Sequence, residues 1–352
     1  MARLARADIF DPAEVSVVHC INRCVRRCFL CGEDPHTGAN FNHRKAWLEQ
    51  RLAFLAGQFG IDVLGFAILS NHFHLVLRNR PDVVATWSDT EVASRWLALC
   101  PYRKTRDGEP AAPTDAELDT IRRVAARLAE VRRRLSDVSW LMRMIAEPIA
   151  RRANREDEVT GRFWQGRFKA VKLCDEAAIL ACSVYVDLNP IRAGLAQTPE
   201  SSDFTSVQRR IEALQPATPA AEPAAGPHSD AWLAPVPLRE AASSLGPQPS
   251  RSCARASDKG FLPLSTADYL RLVDWTGRQI VRSRGGSIPA DLPPLLSRVG
   301  LAEDDWLLLV TRFGRLFHRV AGAPHSLAHL AHRGARPQSR FRPGHAELLG
   351  RR

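Results

Sequence analysis

The sequence predicts an α+β fold in which a small antiparallel sheet carries packed helices. β-rich runs at residues 15–23, 62–69 and 72–77 supply the strands. The last two runs are separated only by Ser70-Asn71, and so short a connection indicates a hairpin. The longer segments between and after these runs repeat apolar residues at helical spacing. Since 45% of the residues are hydrophobic and 25% are charged, the chain can bury a core.

Helices account for most of the remaining chain up to residue 188. The first is predicted at residues 42–59, between the first strand and the hairpin. Residues 81–137 form a predicted helical insertion whose outer faces are rich in arginine. Two further helices are predicted at 140–154 and 175–188, on either side of an aromatic and basic stretch.

A change in composition divides the chain after residue 212. Residues 213–255 are predicted to be a linker rich in proline and alanine. Residues 256–335 regain core-forming residues and predict a small helical accessory domain. The arginine-rich end, 336–352, is predicted to be a basic tail that frays.

The charge balance favours a polyanionic partner. Lysine and arginine total 49 against 38 acidic residues, which gives a net charge of +11. Such an excess is typical of proteins that bind nucleic acid or an anionic membrane surface. No run approaches the ~18 apolar residues of a membrane span, and the start lacks an apolar signal segment. We therefore expect a cytoplasmic protein with no membrane partner.

Four cysteines, Cys20, Cys24, Cys28 and Cys31, are crowded within twelve residues. The last three have the CxxxCxxC spacing that resembles the iron–sulfur loop of radical S-adenosylmethionine enzymes. Four thiolates would also suit zinc. The interpretation we favour is small buried thiols around the first strand, since Leu30 replaces the aromatic residue normal in that enzyme family.

Two histidines are placed to act together on the third strand. Because residues two apart in a strand point to the same face, His72 and His74 lie side by side. Phe73, Leu75 and Leu77 then point to the opposite face, into the core. Paired imidazoles are a natural chelating pair for a divalent metal, although a strand histidine is also a common structural residue.

A tyrosine and an asparagine occupy one face of the helix predicted at 175–188. Tyr185 and Asn189 are four residues apart, and Pro190 indicates that the helix ends at Asn189. The face turned to the core is predicted to carry Ile179, Cys182 and Val186. By itself, a tyrosine at the edge of a core helix is usually structural.

Taken together, these segments resemble the HUH nucleases with a single catalytic tyrosine, in particular the REP-associated tyrosine transposases and their insertion-sequence relatives. The matching residues are Ser-Asn-His-Phe-His at 70–74, Phe-Trp-Gln-Gly-Arg-Phe-Lys at 163–169 and Tyr-Val-Asp-Leu-Asn-Pro-Ile-Arg-Ala-Gly-Leu at 185–195. The resemblance covers about residues 10–212 and implies a ferredoxin- or RRM-like antiparallel sheet, the HUH nuclease core.

The resemblance also implies an active site. His72, His74 and Asn189 would bind Mg²⁺ or Mn²⁺, and Tyr185 would attack DNA to give a 5′-phosphotyrosine. Asparagine at the third ligand position differs from the glutamine of some relatives but matches the REP-associated branch.

The partner implied by the resemblance is single-stranded DNA with hairpins or palindromic repeats. Basic residues alternate with aromatic ones before and within the matching stretch, which suits phosphate contacts and base stacking. The candidate DNA-binding residues are Arg162, Trp164, Arg167, Lys169 and Lys172. A nucleoid-associated monomer or homodimer is expected. The alternative is a domesticated, non-catalytic DNA-binding protein that regulates repeats.

Overall fold

The computed structural model describes residues 11–25, 31–32, 38, 40–215, 229–238, 246–282, 293–332 and 343–349. Its centre is a five-stranded sheet in the order β2-β3-β1-β4-β5. The strands are β1 Ser16–Arg23, β2 Ile61–Ile68, β3 His72–Asn79, β4 Lys169–Leu173 and β5 Val320–Ala321. Of the strand pairs that the described residues form in this sheet, β4–β5 is parallel and the others are antiparallel. The predicted α+β class and the hairpin formed by β2 and β3 are confirmed.

Helices follow the strands in chain order. Up to β4 these are α1 His43–Gln58, α2 Pro81–Thr86, α3 Asp89–Leu99, α4 Asp115–Arg122, α5 Ala125–Leu135 and α6 Val138–Glu156. After β4 they are α7 Glu176–Asp187, α8 Asn189–Arg192, α9 Ser206–Leu214, α10 Thr266–Arg282, α11 Pro293–Arg298, α12 Glu303–Leu316, α13 Pro324–His332 and α14 Pro343–Ala346. A 3₁₀ turn, Glu347–Leu349, comes last. No helix among the described residues is both long and apolar enough to cross a bilayer.

Both faces of the sheet are covered. On one face, Phe73 and Leu75 of β3 join a core with Leu52 of α1 and Ile145 of α6. On the other face, Val76 packs with α7 and with helices from the C-terminal third of the chain. Since side chains alternate along a strand, His72 and His74 lie on this second face.

Helix α7 is buried on all sides, not along one stripe as predicted. Its residues from Leu180 to Asp187 are buried, whereas Ile179 is only partly covered. The physical reason is α12, which packs against α7. A helix that is apolar all round needs such a cover. The buried surface of α7 is therefore wider than the predicted core face.

The C-terminal segments pack directly on the sheet. Strand β5 pairs with β4, with Lys172 opposite Val320. The buried carboxylate of Asp62 on β2 accepts hydrogen bonds from the Arg78 side chain at 2.8 and 2.9 Å and from Ser257 at 2.8 and 3.0 Å. Buried charges are tolerated when they are paired and hydrogen-bonded in this way. Two parts of the predicted linker, residues 216–228 and 239–245, and most of the predicted basic tail lie outside the described residues.

Candidate functional site

An open cleft with a volume of about 270 Å³ lies where β1, β3 and β4 meet α7, α8 and α12. Its residues come from segments far apart in the sequence, so the fold assembles it. The cationic side chains that line the cleft are Arg23, Arg167, Lys169, Arg192, Arg312 and Arg315. No aspartate or glutamate is among the described residues that line it. The cleft is therefore strongly electropositive and suits an anionic ligand.

The structure brings His72 and His74 together in this cleft, as their spacing predicted. Their ring centroids are 4.9 Å apart. His74 is buried, and its Nε2 atom has no hydrogen-bond partner among the described residues. His72 is half-buried, and its Nδ1 lies 2.6 Å from Oδ1 of Asn71. A buried nitrogen without a partner costs free energy, which is recovered when a ligand occupies it.

A third histidine, His19 on β1, completes this layer and was missed by the sequence reasoning. Its Nε2 lies 2.8 Å from Nδ1 of His74, and the two rings are stacked at 5.1 Å. The alternation of β1 places His19 on the same face as Ile21, which pairs with His74. That alternation was visible in the sequence, but the pairing of β1 with β3 was not.

The three imidazoles are held neutral. Burial lowers the pKa of His19 to about 3, with a smaller contribution from His72. Burial, together with the charge of Arg23, lowers the pKa of His72 to about 4. The pKa of His74 is lowered well below its ordinary value by burial first, then by its histidine and arginine neighbours. A neutral imidazole keeps one lone pair, which is the state that binds a metal ion.

The hydrogen bonds are compatible with a free Nε2 on both rings. When the Nδ1–H of His74 donates to His19, the lone pair of His74 is on Nε2. When the Nδ1–H of His72 donates to Asn71, its lone pair is likewise on Nε2. Metal-binding histidines are held in this manner by an acceptor on the second ring nitrogen. The two residues therefore fit a divalent metal.

Tyr185 lies beside these histidines and lines the same cleft. Its ring meets that of His74 edge-on, with centroids 5.7 Å apart, and it is 8% exposed. The guanidinium carbon of Arg192 lies 4.5 Å from the centre of the phenol ring. A Cβ atom at Gly314 of α12 would lie only 2.7 Å from the Tyr185 hydroxyl. The phenol thus lies beside His74 of β3 and Gly314 of α12, and the guanidinium of Arg192 lies against its ring.

Asn189 is buried one turn after Tyr185, at the first residue of α8. Its Nδ2 donates to the backbone oxygen of Tyr185 at 3.2 Å, and its Oδ1 accepts a long 3.4 Å hydrogen bond from Arg192. It is not among the residues that line the cleft. Its role as a third ligand remains a prediction. To bind the metal, Oδ1 would have to give up its hydrogen bond with Arg192.

The candidate DNA-binding residues separate into two groups. Arg167 and Lys169 line the cleft, whereas Arg162 and Lys172 do not. Trp164 is buried: its indole N–H donates to the Ala146 oxygen at 2.8 Å, and its ring meets Phe73 edge-on. Core contacts occupy this ring in the structure, and its predicted role in DNA binding stays a prediction.

Four of the cations were not singled out from the sequence. Arg192 had a local signal, since it lies seven residues after Tyr185 and so on the same helical face. Arg23 lies opposite His72 in the sheet, which only the strand register reveals. Arg312 and Arg315 come from α12, more than a hundred residues beyond Tyr185.

The cysteine predictions concern a separate part of the molecule. Cys20, Cys24 and Cys31 are buried thiols in the core with α1, and Cys28 lies outside the described residues. Burial raises the pKa of Cys31 to about 12, so this thiol stays protonated. No group of three or more His, Cys, Asp or Glu side chains suited to a metal ion occurs in the described part of the chain.

Comparison with known proteins adds little evidence about function to this geometry. No protein-family model and no curated protein matches the chain. Among solved structures, the chain is similar to a REP-associated tyrosine transposase that was solved bound to a REP hairpin. The match has a TM-score of 0.35 and 12% sequence identity, and it covers 64% of this chain and 98% of the other. We therefore infer function from this chain's own residues.

Proposed function

We propose that this protein is a metal-dependent enzyme that cleaves and rejoins single-stranded, hairpin-bearing DNA through a 5′-phosphotyrosine. One observation carries the proposal: Tyr185, His72 and His74 line a single cleft together with six cationic side chains and no described carboxylate. A phenol nucleophile, two neutral imidazoles and concentrated positive charge are what cleavage of a phosphodiester by tyrosine requires.

The architecture supports the same proposal. The four antiparallel strands have the order β2-β3-β1-β4, and α1 connects β1 to β2. This is the order expected for the ferredoxin-like core that the resemblance implies. In this arrangement β1 and β3 are neighbours at the centre of the sheet, and α7 follows directly after β4. The histidines and Tyr185 then meet on one face of the sheet.

His72 and His74 would hold Mg²⁺ or Mn²⁺ through their Nε2 atoms, with Asn189 as the proposed third ligand. The fit rests on the unpartnered, buried Nε2 of His74 and on the neutral state of both rings. When bound, the ion supplies Lewis acidity that polarises the scissile phosphate. Two histidines alone make an incomplete site, so the amide or the DNA itself has to provide further oxygen ligands.

The chain's own residues perform the transfer. The Tyr185 oxygen attacks phosphorus and loses its proton to the surrounding solvent or a base. The phosphorus–O3′ bond breaks, and the leaving O3′ takes up a proton to become a free hydroxyl. The phosphodiester bond energy is kept in the tyrosine ester, so a 3′-hydroxyl can rejoin without ATP. Arg192, 4.5 Å from the phenol ring, supplies positive charge beside the phosphate as its charge develops.

A nicking assay tests the proposal. The wild-type protein, given Mn²⁺ and a labelled single strand that contains a hairpin, should form a complex that resists denaturing detergent. Tyr185→Phe should form none while binding the strand with unchanged affinity, because only the hydroxyl is lost. Tyr102→Phe removes an exposed hydroxyl outside the cleft and serves as the matched control, which should react normally.

The outcome also distinguishes catalysis from binding alone. A wild-type protein that binds the strand but forms no adduct with Mn²⁺ or Mg²⁺ would instead be a non-catalytic DNA-binding protein. Adducts that persist in Tyr185→Phe would contradict the role assigned to this residue.

A further inference from the structure

Helix α12 forms one wall of the cleft, although it lies outside the segment that resembles the transposases. Its buried residues, among them Trp306, Leu309 and Phe313, belong to the same core as α7. The Phe313 ring packs against the ring of Tyr185, with centroids 5.8 Å apart, and lies 6.4 Å from that of His19. These contacts fix the position of α12 relative to the phenol.

Two arginines project from the last turns of this helix. Arg312 and Arg315 are three residues apart, so they lie on neighbouring positions of one helical face. Both are exposed and both line the cleft. Neither makes an ion pair with a carboxylate of the described residues, so their positive charge faces the cleft uncompensated.

Other arginines of the C-terminal region behave differently. On α10, Arg278 lies 3.0 Å from Asp274, and Arg271 lies 4.0 Å from Asp268. These pairs connect exposed arginines to partly exposed aspartates one helical turn away and are typical of a solvated helix surface. Among the described residues, Arg312 and Arg315 have no such carboxylate partner one turn away.

A glycine stands between the two arginines. Gly314 is inside a helix, where glycine is disfavoured by about 1 kcal/mol relative to alanine. A Cβ atom here would lie 2.7 Å from the Tyr185 hydroxyl, so no side chain fits without a shift. The helix therefore presents bare backbone to the phenol, with one arginine two residues before the glycine and another directly after it.

We propose that Arg312 and Arg315 bind phosphates of the DNA strand held against Tyr185, so that the C-terminal region is a structural part of the active site. The inference rests on the proposed function and names residues that act in it. Guanidinium groups recognise phosphate through paired hydrogen bonds. Because Arg23, Lys169 and Arg192 of β1, β4 and α8 line the same cleft, the strand would be contacted by both the N-terminal and the C-terminal parts of the chain.

The test measures DNA binding separately from cleavage. In a Tyr185→Phe background, the double change Arg312→Gln and Arg315→Gln is titrated with a labelled single strand that contains a hairpin, over a series of salt concentrations. Losing two phosphate contacts should weaken binding about 10-fold and reduce the salt dependence of log K by about 1.4. Arg312→Lys with Arg315→Lys keeps the charges and should retain most of that salt dependence.

The matched control removes the same charge elsewhere. Arg271→Gln with Arg278→Gln changes two exposed arginines of α10 that do not line the cleft, and it should leave the salt dependence unchanged. Equal salt dependence in the α12 and α10 double variants would overturn the inference. A wild-type protein that forms no adduct, combined with weakened binding in the α12 variant alone, would refute the proposed cleavage yet support these phosphate contacts.

Discussion

The imidazoles of His19 and His74 lie 2.8 Å apart, Nε2 of the first to Nδ1 of the second, across the neighbouring strands β1 and β3. Only one proton can occupy this contact when both rings are neutral, so the tautomers of the two rings are linked. When the Nδ1–H of His74 donates to His19, the lone pair of His74 lies on its buried Nε2. His19 acts in this account as a positioning residue for a metal ligand.

Replacing His19 should weaken metal binding. His19→Phe keeps the ring volume but removes the acceptor, and loss of such a partner typically lowers metal affinity about 10–100-fold. His19→Gln retains an acceptor and should stay closer to wild type. The affinity is measured by electron paramagnetic resonance titration of the DNA-free protein with Mn²⁺. Wild-type affinity in His19→Phe would exclude the positioning role.

The neutral histidines should make stability depend on pH. Folding lowers the pKa of His19 from 6.5 to about 3, chiefly by burial, with His72 and His74 as its titratable neighbours. Below pH 6.5 the unfolded chain takes up a proton that the folded chain refuses. Stability is therefore complete above pH 6.5 and decreases as the pH falls toward 3.

The His19→Gln variant isolates this contribution. Between pH about 6.5 and 5, wild type should lose about 1.6 kcal/mol more of its unfolding free energy than His19→Gln, with a slope that approaches about 1.4 kcal/mol per pH unit. Urea unfolding without added metal measures both proteins. Parallel pH profiles would show that His19 titrates normally in the folded state.

Gly314→Ala should slow cleavage while leaving the fold intact. Alanine favours the helix by about 1 kcal/mol, but its Cβ would approach the Tyr185 hydroxyl to 2.7 Å. Displacing a nucleophile by about 1 Å can slow a reaction about 100-fold. The rate of adduct formation measures the effect. Gly277→Ala is the control, since its Cβ meets only Leu188 and Ile191 side chains at 3.2 and 3.3 Å; equal rates in both variants would contradict the prediction.

Tyr269→Phe should destabilise the protein by about 1–3 kcal/mol. The Tyr269 hydroxyl of α10 donates to the buried carboxylate of Asp187 at 2.6 Å, and burial raises the pKa of that carboxyl. Without this donor, the buried oxygen loses a hydrogen bond that water cannot replace. Chemical unfolding measures the loss. Tyr102→Phe, which alters an exposed hydroxyl, should change stability by less than about 0.5 kcal/mol; a similar loss in both would refute the prediction.

Short-range patterns were sufficient to predict much of this architecture. The two-residue period placed His72 and His74 on one face, and the short connection at 70–71 specified the hairpin that carries them. The helical period placed Tyr185 and Asn189 one turn apart. Each of these relationships spans fewer than ten residues, within which backbone geometry fixes which side chains are neighbours.

Relationships between distant segments were not accessible in the same way. His19 and His74 meet because β1 pairs with β3 in one register, and nothing local to β1 encodes that register. Arg312 reaches the cleft because α12 packs against α7. The sequence contains several apolar helices and does not indicate which of them packs against α7. Trp164 was assigned to DNA from its basic neighbours, whereas the backbone oxygen of Ala146 and the Phe73 ring hold it in the core.

The most direct test of the central claim is to identify the amino acid that carries DNA after reaction. The adduct formed with Mn²⁺ and a hairpin-bearing single strand is digested with nuclease and protease and analysed by mass spectrometry. The chain has only three tyrosines, Tyr102, Tyr185 and Tyr269, so the assignment is unambiguous. The account predicts a nucleotide phosphate on the peptide that contains Tyr185. A nucleotide on any other residue would contradict it.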